Sequence, residues 1–198
     1  MSAAPARLAV LVSGGGRSLE NLVEVIRRGE LAAEVVLVVS DREGIGALER
    51  CARLELPSLV LPWKSFAGAA DFGARVFAEL DRARADLCVL AGFLRLLRVP
   101  PHWIGRTINI HPALLPDFGG KGYYGDRVHA AVLASGATES GCTVHQVDDQ
   151  YDHGAIVLQR RVPVLPGDDV HALAARVFEA EKLALPEALR GLLAKPRQ

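Results

Sequence analysis

The sequence of 198 residues shows no surplus of either charge: Lys plus Arg and Asp plus Glu both number 23. A nucleic acid or an acidic membrane surface as partner ordinarily leaves a basic excess, so neither is expected here. Cysteine is scarce. Cys51, Cys88 and Cys142 are far apart and odd in number, which suits neither a disulfide framework nor metal-ligand spacing. They read as buried or free thiols of a reducing compartment. Long apolar runs are missing too. The opening MSAAPARLAVLVSGGG stops at glycines after a few apolar residues, too short for a signal or membrane segment, and the expected address is cytoplasmic. No internal repeat, low-complexity tract or dividing linker interrupts the chain, so a single domain over residues 1–198 is expected.

What is present has an α/β rhythm. Half of the residues are hydrophobic and 23% are charged, ordinary values for a globular chain. Leu8–Val12, Glu34–Val39, Ser58–Leu61 and Leu87–Leu90 read as strands buried on both faces. Between them, Leu19, Leu22, Val23 and Ile26 have helical spacing, as do Phe72, Val76, Phe77 and Leu80. Such alternation predicts a parallel sheet with right-handed crossovers and helices on both sides. The second half differs. Thr107–His111, Gly141–Val147 and Ile156–Val164 are strand candidates, and the short loop DDQYDHGA between the last two predicts an antiparallel hairpin. A long helix is predicted from near Asp169, its buried stripe marked by Val170, Leu173, Ala174, Val177, Phe178, Leu185 and Leu189. Glu181 falls on that stripe. Either something pairs with this carboxylate, or it sits at the helix edge and reaches water.

Two stretches suggest chemistry. In Ser13–Ser18, SGGGRS, the glycines Gly14, Gly15 and Gly16 stand between a strand and a helix, where backbone N–H groups and the helix dipole attract an anion. Arg17 adds a fork suited to phosphate oxygens, beside the hydroxyl of Ser18. Leu19 occupies the third glycine position of the dinucleotide fingerprint, and no Gly-Lys-Ser/Thr follows. A phosphate monoester is therefore favoured over a dinucleotide or a nucleoside triphosphate, with a ligand-free tight turn as the competing reading. The second stretch is INIHPALLPDFGGKGYYG. On a strand, Asn109 and His111 project from one face beside a Pro- and Gly-rich loop. His111 is the histidine best placed for proton transfer. His102, His129 and His171 read as surface or capping residues, His145 as a core histidine sharing a face with Thr143, and His153 as a loop residue. The hairpin loop carries Asp148, Asp149 and Asp152 beside His145 and His153, but acidic hairpin loops are ordinarily solvated and no zinc spacing is present, so no metal is expected. No Gly-x-Ser-x-Gly elbow and no cysteine in a His-adjacent setting supplies a nucleophile. Asn, His and Asp without one point to direct transfer onto a substrate that brings its own.

Asn109-Ile110-His111-Pro112 followed by Leu114-Leu115-Pro116 resembles the Asn-x-His-Pro-x-Leu-Leu-Pro signature of the folate-dependent formyltransferases. Ala91-Gly92-Phe93-Leu94-Arg95-Leu96-Leu97 is similar to the segment that precedes it there. Gly141-Cys142-Thr143-Val144-His145 with Asp149 to Asp152 resembles the family's catalytic hairpin. The glycine turn, the length and Glu181 are similar to the branch that formylates glycinamide ribonucleotide in purine synthesis. The resemblance implies a Rossmann-like, mostly parallel sheet of about seven strands, with a C-terminal antiparallel hairpin and a long C-terminal helix. It places acceptor phosphate in the N-terminal half, and folate binding and catalysis in the C-terminal half. It implies 10-formyltetrahydrofolate as cosubstrate, bound along Leu94, Arg95, Leu96 and Leu97 and by Val147 and Asp149. Asn109, His111 and Asp152 become the catalytic set, and Glu181 holds the glycinamide end. In that reading Asn109 and a protonated His111 donate to the oxyanion, and Asp152 favours the imidazolium. A monomer or weak homodimer is expected.

The chain departs from the commoner family pattern in the turn Gly16-Arg17-Ser18-Leu19, where Gly-Ser-Asn-Leu is usual. The arginine that often meets the phosphate is missing near Ala69, and Arg17 is expected to replace its charge. The stretch GGKGYYGDRVH, Gly119–His129, is longer than the usual loop, and His153 stands where a second glycine is common. Three other readings fit parts of the pattern: a methionyl-tRNA formyltransferase, a formyltetrahydrofolate hydrolase, and a non-catalytic folate- or sugar-phosphate-binding module.

Overall fold

The computed structural model describes residues 4–194. Seven strands form one mixed sheet in the order β3-β2-β1-β4-β5-β6-β7. By contacts the chain groups into two compact units divided between Ile108 and Asn109. The expected single domain over 1–198 extends past the described residues at both ends.

The first unit holds β1 (Ala6–Val12), α1 (Arg17–Arg27), β2 (Ala33–Ser40), α2 (Gly46–Leu54), β3 (Ser58–Val60), α3 (Ala69–Arg82) and β4 (Leu87–Ala91). β1 runs parallel to both β2 and β4, and β2 runs parallel to β3. Short apolar strands with helical crossovers leave this as the right-handed solution. Leu8, Val10 and Leu11 of β1 pack in a fully buried core with Leu19 and Leu22 of α1 and Phe72, Val76 and Leu80 of α3. Burial on both faces holds for β1 and β4 but not for β3, which is a three-residue edge strand opening on exposed Ser58, nor for the half-buried middle of β2. The outermost strand has no neighbour to cover its far side.

β5 (Thr107–His111) crosses the unit boundary. The second unit continues with α4 (Asp126–Ala134), β6 (Glu139–Gln146), β7 (Ile156–Pro163) and α5 (Val170–Leu193). β6 and β7 form the expected antiparallel hairpin, with a register shift between Val144 and His145. α5 begins where its sequence supplies a cap: the Asp169 side chain accepts the Ala172 N–H at 2.7 Å, satisfying one of the orphan donors of the first turn. Arg176 grips Asp168 through both Nη atoms at 2.6 and 2.8 Å, fixing the approach to the helix. Leu173, Val177, Leu185 and Leu189 line its buried side.

Two elements depart from the expected pattern. α2 occupies a stretch that carried no helix expectation. α4 starts at Asp126, so the last four residues of the expected Gly119–His129 loop are helical, and His129 is buried at 5% exposure rather than at the surface. His102 and His171 are exposed as expected. Among the described residues, no helix is long and apolar enough to cross a membrane.

Candidate active site

The second unit gathers Asn109, His111 and Asp152 into one polar cluster and adds His145. Asn109 and His111 alternate along the end of β5, so their side chains leave the same face. His145 reaches them from the adjacent strand β6, and Asp152 from the β6–β7 loop. Asp152 sits at φ 52, the left-handed region that an Asp tolerates better than most residues. Its Oδ2 accepts the Gly120 N–H at 3.0 Å, and its Oδ1 accepts from Asn109 Nδ2 at 3.2 Å. His111 Nδ1 lies 3.5 Å from the same Oδ1.

These contacts fix the hydrogens. The Gln146 carbonyl 2.7 Å from His145 Nδ1 can only accept, so Nδ1 carries a hydrogen and donates. His145 Nε2 lies 3.0 Å from Asn109 Nδ2 and 3.6 Å from Asp152 Oδ1. Asn109 Nδ2 thus sits between His145 Nε2 and Asp152 Oδ1. His111 is held likewise: Nε2 donates to the Phe118 carbonyl at 2.8 Å while Nδ1 faces Asp152. The resting cluster is closed on itself, whereas the residue types alone suggested two donors ready for an oxyanion. His145 was missing from the expected set because its contact with Asn109 depends on cross-strand register, which a local pattern does not carry. The one local signal was that His145 shares a face with Thr143.

Burial, at 3% exposure for His111, pushes its imidazole below the ordinary value of 6.5 and outweighs the charge of Asp152, which works the other way. Burial thus works against the protonated form that the expected chemistry uses, and Asp152 works for it. For Asp152, burial opposes ionisation, but the His145 ring, the His111 ring and the Gly120 N–H together outweigh it. The carboxyl is held below its ordinary 3.8. Both groups act in one direction on stability. The unfolded chain takes up protons more readily than the native one, first at the histidine below about pH 6.5 and then at the aspartate below about pH 3.8, so stability falls as the medium is acidified. We expect the melting temperature to decline from pH 6.5 downward. In a His111→Gln variant the decline between pH 6.5 and 5 should be shallower, as read by thermal denaturation across a pH series.

The first unit carries the glycine turn. Gly14 and Gly15 have open space where a Cβ would stand. Gly16 is the N-cap of α1 at φ 80, and a Cβ there would come within 2.8 Å of Ala47 Cβ, so only glycine fits. The carbonyls of Gly14 and Gly15 both face α2, accepting from the Ala47 N–H at 3.1 Å and from Arg50 Nη1 at 2.7 Å. Arg17 is exposed at the first position of α1 and Ser18 is half-buried beside it. The leading N–H groups of a helix have no partner within it, so this end can receive an anion. Arg50 is a second arginine at the turn that the sequence reading missed. Its place follows from α2, whose weak apolar stripe had hidden the helix.

Of the remaining expected residues, Leu94, Arg95 and Leu96 are half-buried and Leu97 is buried after β4, while Val147 is half-buried and Asp149 exposed after β6. Glu181 is half-buried on α5, and burial, with the Glu181 charge adding to it, pushes the Cys142 thiol of β6 up to about 12. His153 pairs with Asp148 at 2.7 Å on the exposed side of the hairpin loop. Among the described residues, no group of three or more His, Cys, Asp and Glu is arranged to hold a metal ion.

Comparison with known proteins places this geometry in context. Residues 6–189 match a family model described as formyl transferase. The trifunctional purine biosynthetic protein adenosine-3 of Drosophila pseudoobscura pseudoobscura is 45% identical over 187 residues, 92% of this chain and 13% of that protein. The chloroplastic phosphoribosylglycinamide formyltransferase of Vigna unguiculata is 39% identical over 188 residues, 94% of this chain and 60% of that protein. The chain thus spans 13% of the first of these relatives and 60% of the second, less than two thirds of either. Among solved structures, glycinamide ribonucleotide transformylase 1 from Geobacillus kaustophilus superposes with a TM-score of 0.86 at 37% identity, covering 96% of this chain and all of that one.

Proposed function

The chain belongs to the formyl transferase family, and we propose that it moves a formyl group from 10-formyltetrahydrofolate to the amine of glycinamide ribonucleotide, a step of purine synthesis. The observation that carries this reading is the joining of Asn109 Nδ2 to Asp152 Oδ1 at 3.2 Å, with His111 Nδ1 3.5 Å from the same oxygen. An amide donor, an imidazole and a carboxylate around one point are the groups that attack on a formyl carbon requires. The whole chain acts in this proposal as one formyltransferase domain of the cytoplasm.

In the proposed reaction the acceptor amine attacks the formyl carbon and the formyl oxygen becomes an oxyanion. Asn109 and His111 donate to it, each by releasing a hydrogen it holds at rest. For His111 the hydrogen freed is the one now given to the Phe118 carbonyl. His111 takes the proton of the attacking nitrogen at Nδ1. Asp152 supports the imidazolium so formed and helps relay that proton to the folate nitrogen, and the bond from that nitrogen to the formyl carbon breaks. Formylated acceptor and tetrahydrofolate leave. Gly14, Gly15, Gly16, Arg17 and Ser18 are the proposed phosphate residues, and Glu181 holds the acceptor amine. Leu94, Arg95, Leu96 and Leu97 of the first unit, and Val147 and Asp149 of the second, are the proposed folate residues.

The test is absorbance-monitored loss of 10-formyltetrahydrofolate with and without glycinamide ribonucleotide. Loss only with the acceptor is expected, whereas loss regardless of acceptor identifies a hydrolase. Arg17→Ala should raise the acceptor KM about tenfold, the worth of one charge-assisted hydrogen bond, and leave the folate KM unchanged. An unaltered acceptor KM removes Arg17 from the phosphate site.

A further inference from the structure

The first unit contains a buried carboxylate that neither the sequence pattern nor the proposed chemistry calls for. Asp41 follows β2, and its side chain has 0% exposure. A carboxylate removed from water this completely persists only with partners that replace its hydration. Asp41 draws them from three separate segments. Arg42, next in sequence, spans both oxygens, Nε to Oδ1 at 3.1 Å and Nη2 to Oδ2 at 3.0 Å. Arg95, 54 residues on, donates its Nε to Oδ2 at 2.6 Å. The Ser13 hydroxyl is the third partner.

The last two belong to segments with proposed substrates. Ser13 opens the glycine turn, and its Oγ also accepts the Leu94 N–H at 3.0 Å while its own N–H donates to the Gly92 carbonyl at 3.1 Å. Leu94 and Arg95 are the first two residues of the proposed folate segment. Arg95 is further steadied by Trp63, whose ring centre lies 5.4 Å from its guanidinium carbon, and the Trp63 backbone N–H donates to the Asp41 backbone carbonyl at 2.9 Å. One carboxylate therefore sets the entrance of the phosphate turn and the start of the folate segment at once. Arg42 alone could have neutralised it. The reach to Ser13 and Arg95 is what charge balance leaves unexplained.

We infer that Asp41 is a positioning residue that holds the Ser13–Ser18 turn and the Leu94–Leu97 segment in fixed register, so that both substrates depend on it although it touches neither. The inference rests on the folate and phosphate assignments proposed above. Asp41→Asn keeps the volume but loses the charge and turns an amide N–H₂ toward an arginine or the serine.

The test measures equilibrium binding of glycinamide ribonucleotide and of a non-reactive folate analogue separately, with the wild-type protein as reference and circular dichroism and melting temperature as folding controls. In Asp41→Asn both dissociation constants should rise about tenfold, the loss of a charged hydrogen bond being spread over the two segments. Arg95→Lys should weaken folate binding alone, and Ser13→Ala should weaken both. A folded Asp41→Asn protein with a lower melting temperature but unchanged dissociation constants would make the cluster purely structural and overturn the inference. If Asp41→Asn does not fold, Ser13→Ala decides, and unchanged binding of both ligands in it overturns the inference equally. Failure of the wild-type protein to bind folate is a different outcome, since it removes the assignment on which the inference stands.

Discussion

Replacing Asp152 by Asn is expected to lower kcat/KM by roughly 10²–10⁴, the usual contribution of a positioned acid–base group, with little change in either substrate's dissociation constant. The substitution keeps the shape and removes the charge, and at the Oδ1 position it sets an amide N–H₂ against Asn109 Nδ2, from which the native oxygen accepts at 3.2 Å. Asn is among the residues that best accept the left-handed backbone, and Asp152 sits there at φ 52. The Asn carbonyl can take over acceptance from the Gly120 N–H, which is 3.0 Å from Oδ2 in the native chain. The negative charge facing His111 Nδ1 at 3.5 Å is what disappears. Without it, burial meets less opposition and holds the imidazole further below its ordinary value, so the relay loses the charge that favours its protonated form. The check is steady-state kinetics across pH beside folate binding. Wild-type-like turnover in a folded Asp152→Asn protein would show that the carboxylate does not act in the chemical step.

Gly154→Ala should do comparable damage by a steric route. A Cβ at that position would fall on the carbonyl oxygen of Gln146 at the neck of the β6–β7 hairpin. The obstacle is backbone, which cannot rotate away, and the Gln146 N–H is bound to the Ala155 carbonyl at 2.8 Å across the same neck. Opening the neck displaces Asp152 and breaks the hydrogen bond of His145 to the Gln146 carbonyl. We expect a loss of about 2–4 kcal/mol in stability from overpacking together with a lost buried hydrogen bond, with activity falling below detection. Denaturant unfolding measures the first and the formyl-transfer assay the second. A stable and active Gly154→Ala variant would mean that the hairpin neck is free to widen.

The sheet was largely legible because buried strands announce themselves as short apolar runs. Thr107–His111 was read with its observed limits, and the β6–β7 hairpin followed from the shortness of DDQYDHGA. α2 and α4 were not legible. α4, DRVHAAVLA, carries small alanines where a helix usually shows a bulky stripe, and a glycine- and tyrosine-rich loop runs straight into it. The Asn109, His111 and Asp152 set could be named from residue types and family resemblance. Its internal wiring could not, because His145 meets Asn109 across 36 positions and Phe118 meets His111 through a backbone carbonyl. Asp41 shows the same limit in sharper form. In SDREG it looks like one more solvated turn residue, and only the return of the chain at Arg95 turns it into a buried centre of charge.

The ends of the sheet carry a consequence for the behaviour of the molecule at high concentration. An unfinished edge of main-chain donors and acceptors invites another extended segment to add on, which is how sheets aggregate and exchange strands. Here one border, β3, is three residues long, too brief a template to hold a visiting strand. The other, β7, carries Arg160 and Arg161 side by side and ends at Pro163, which has no N–H to offer. Both borders are therefore poor ground for a growing fibril.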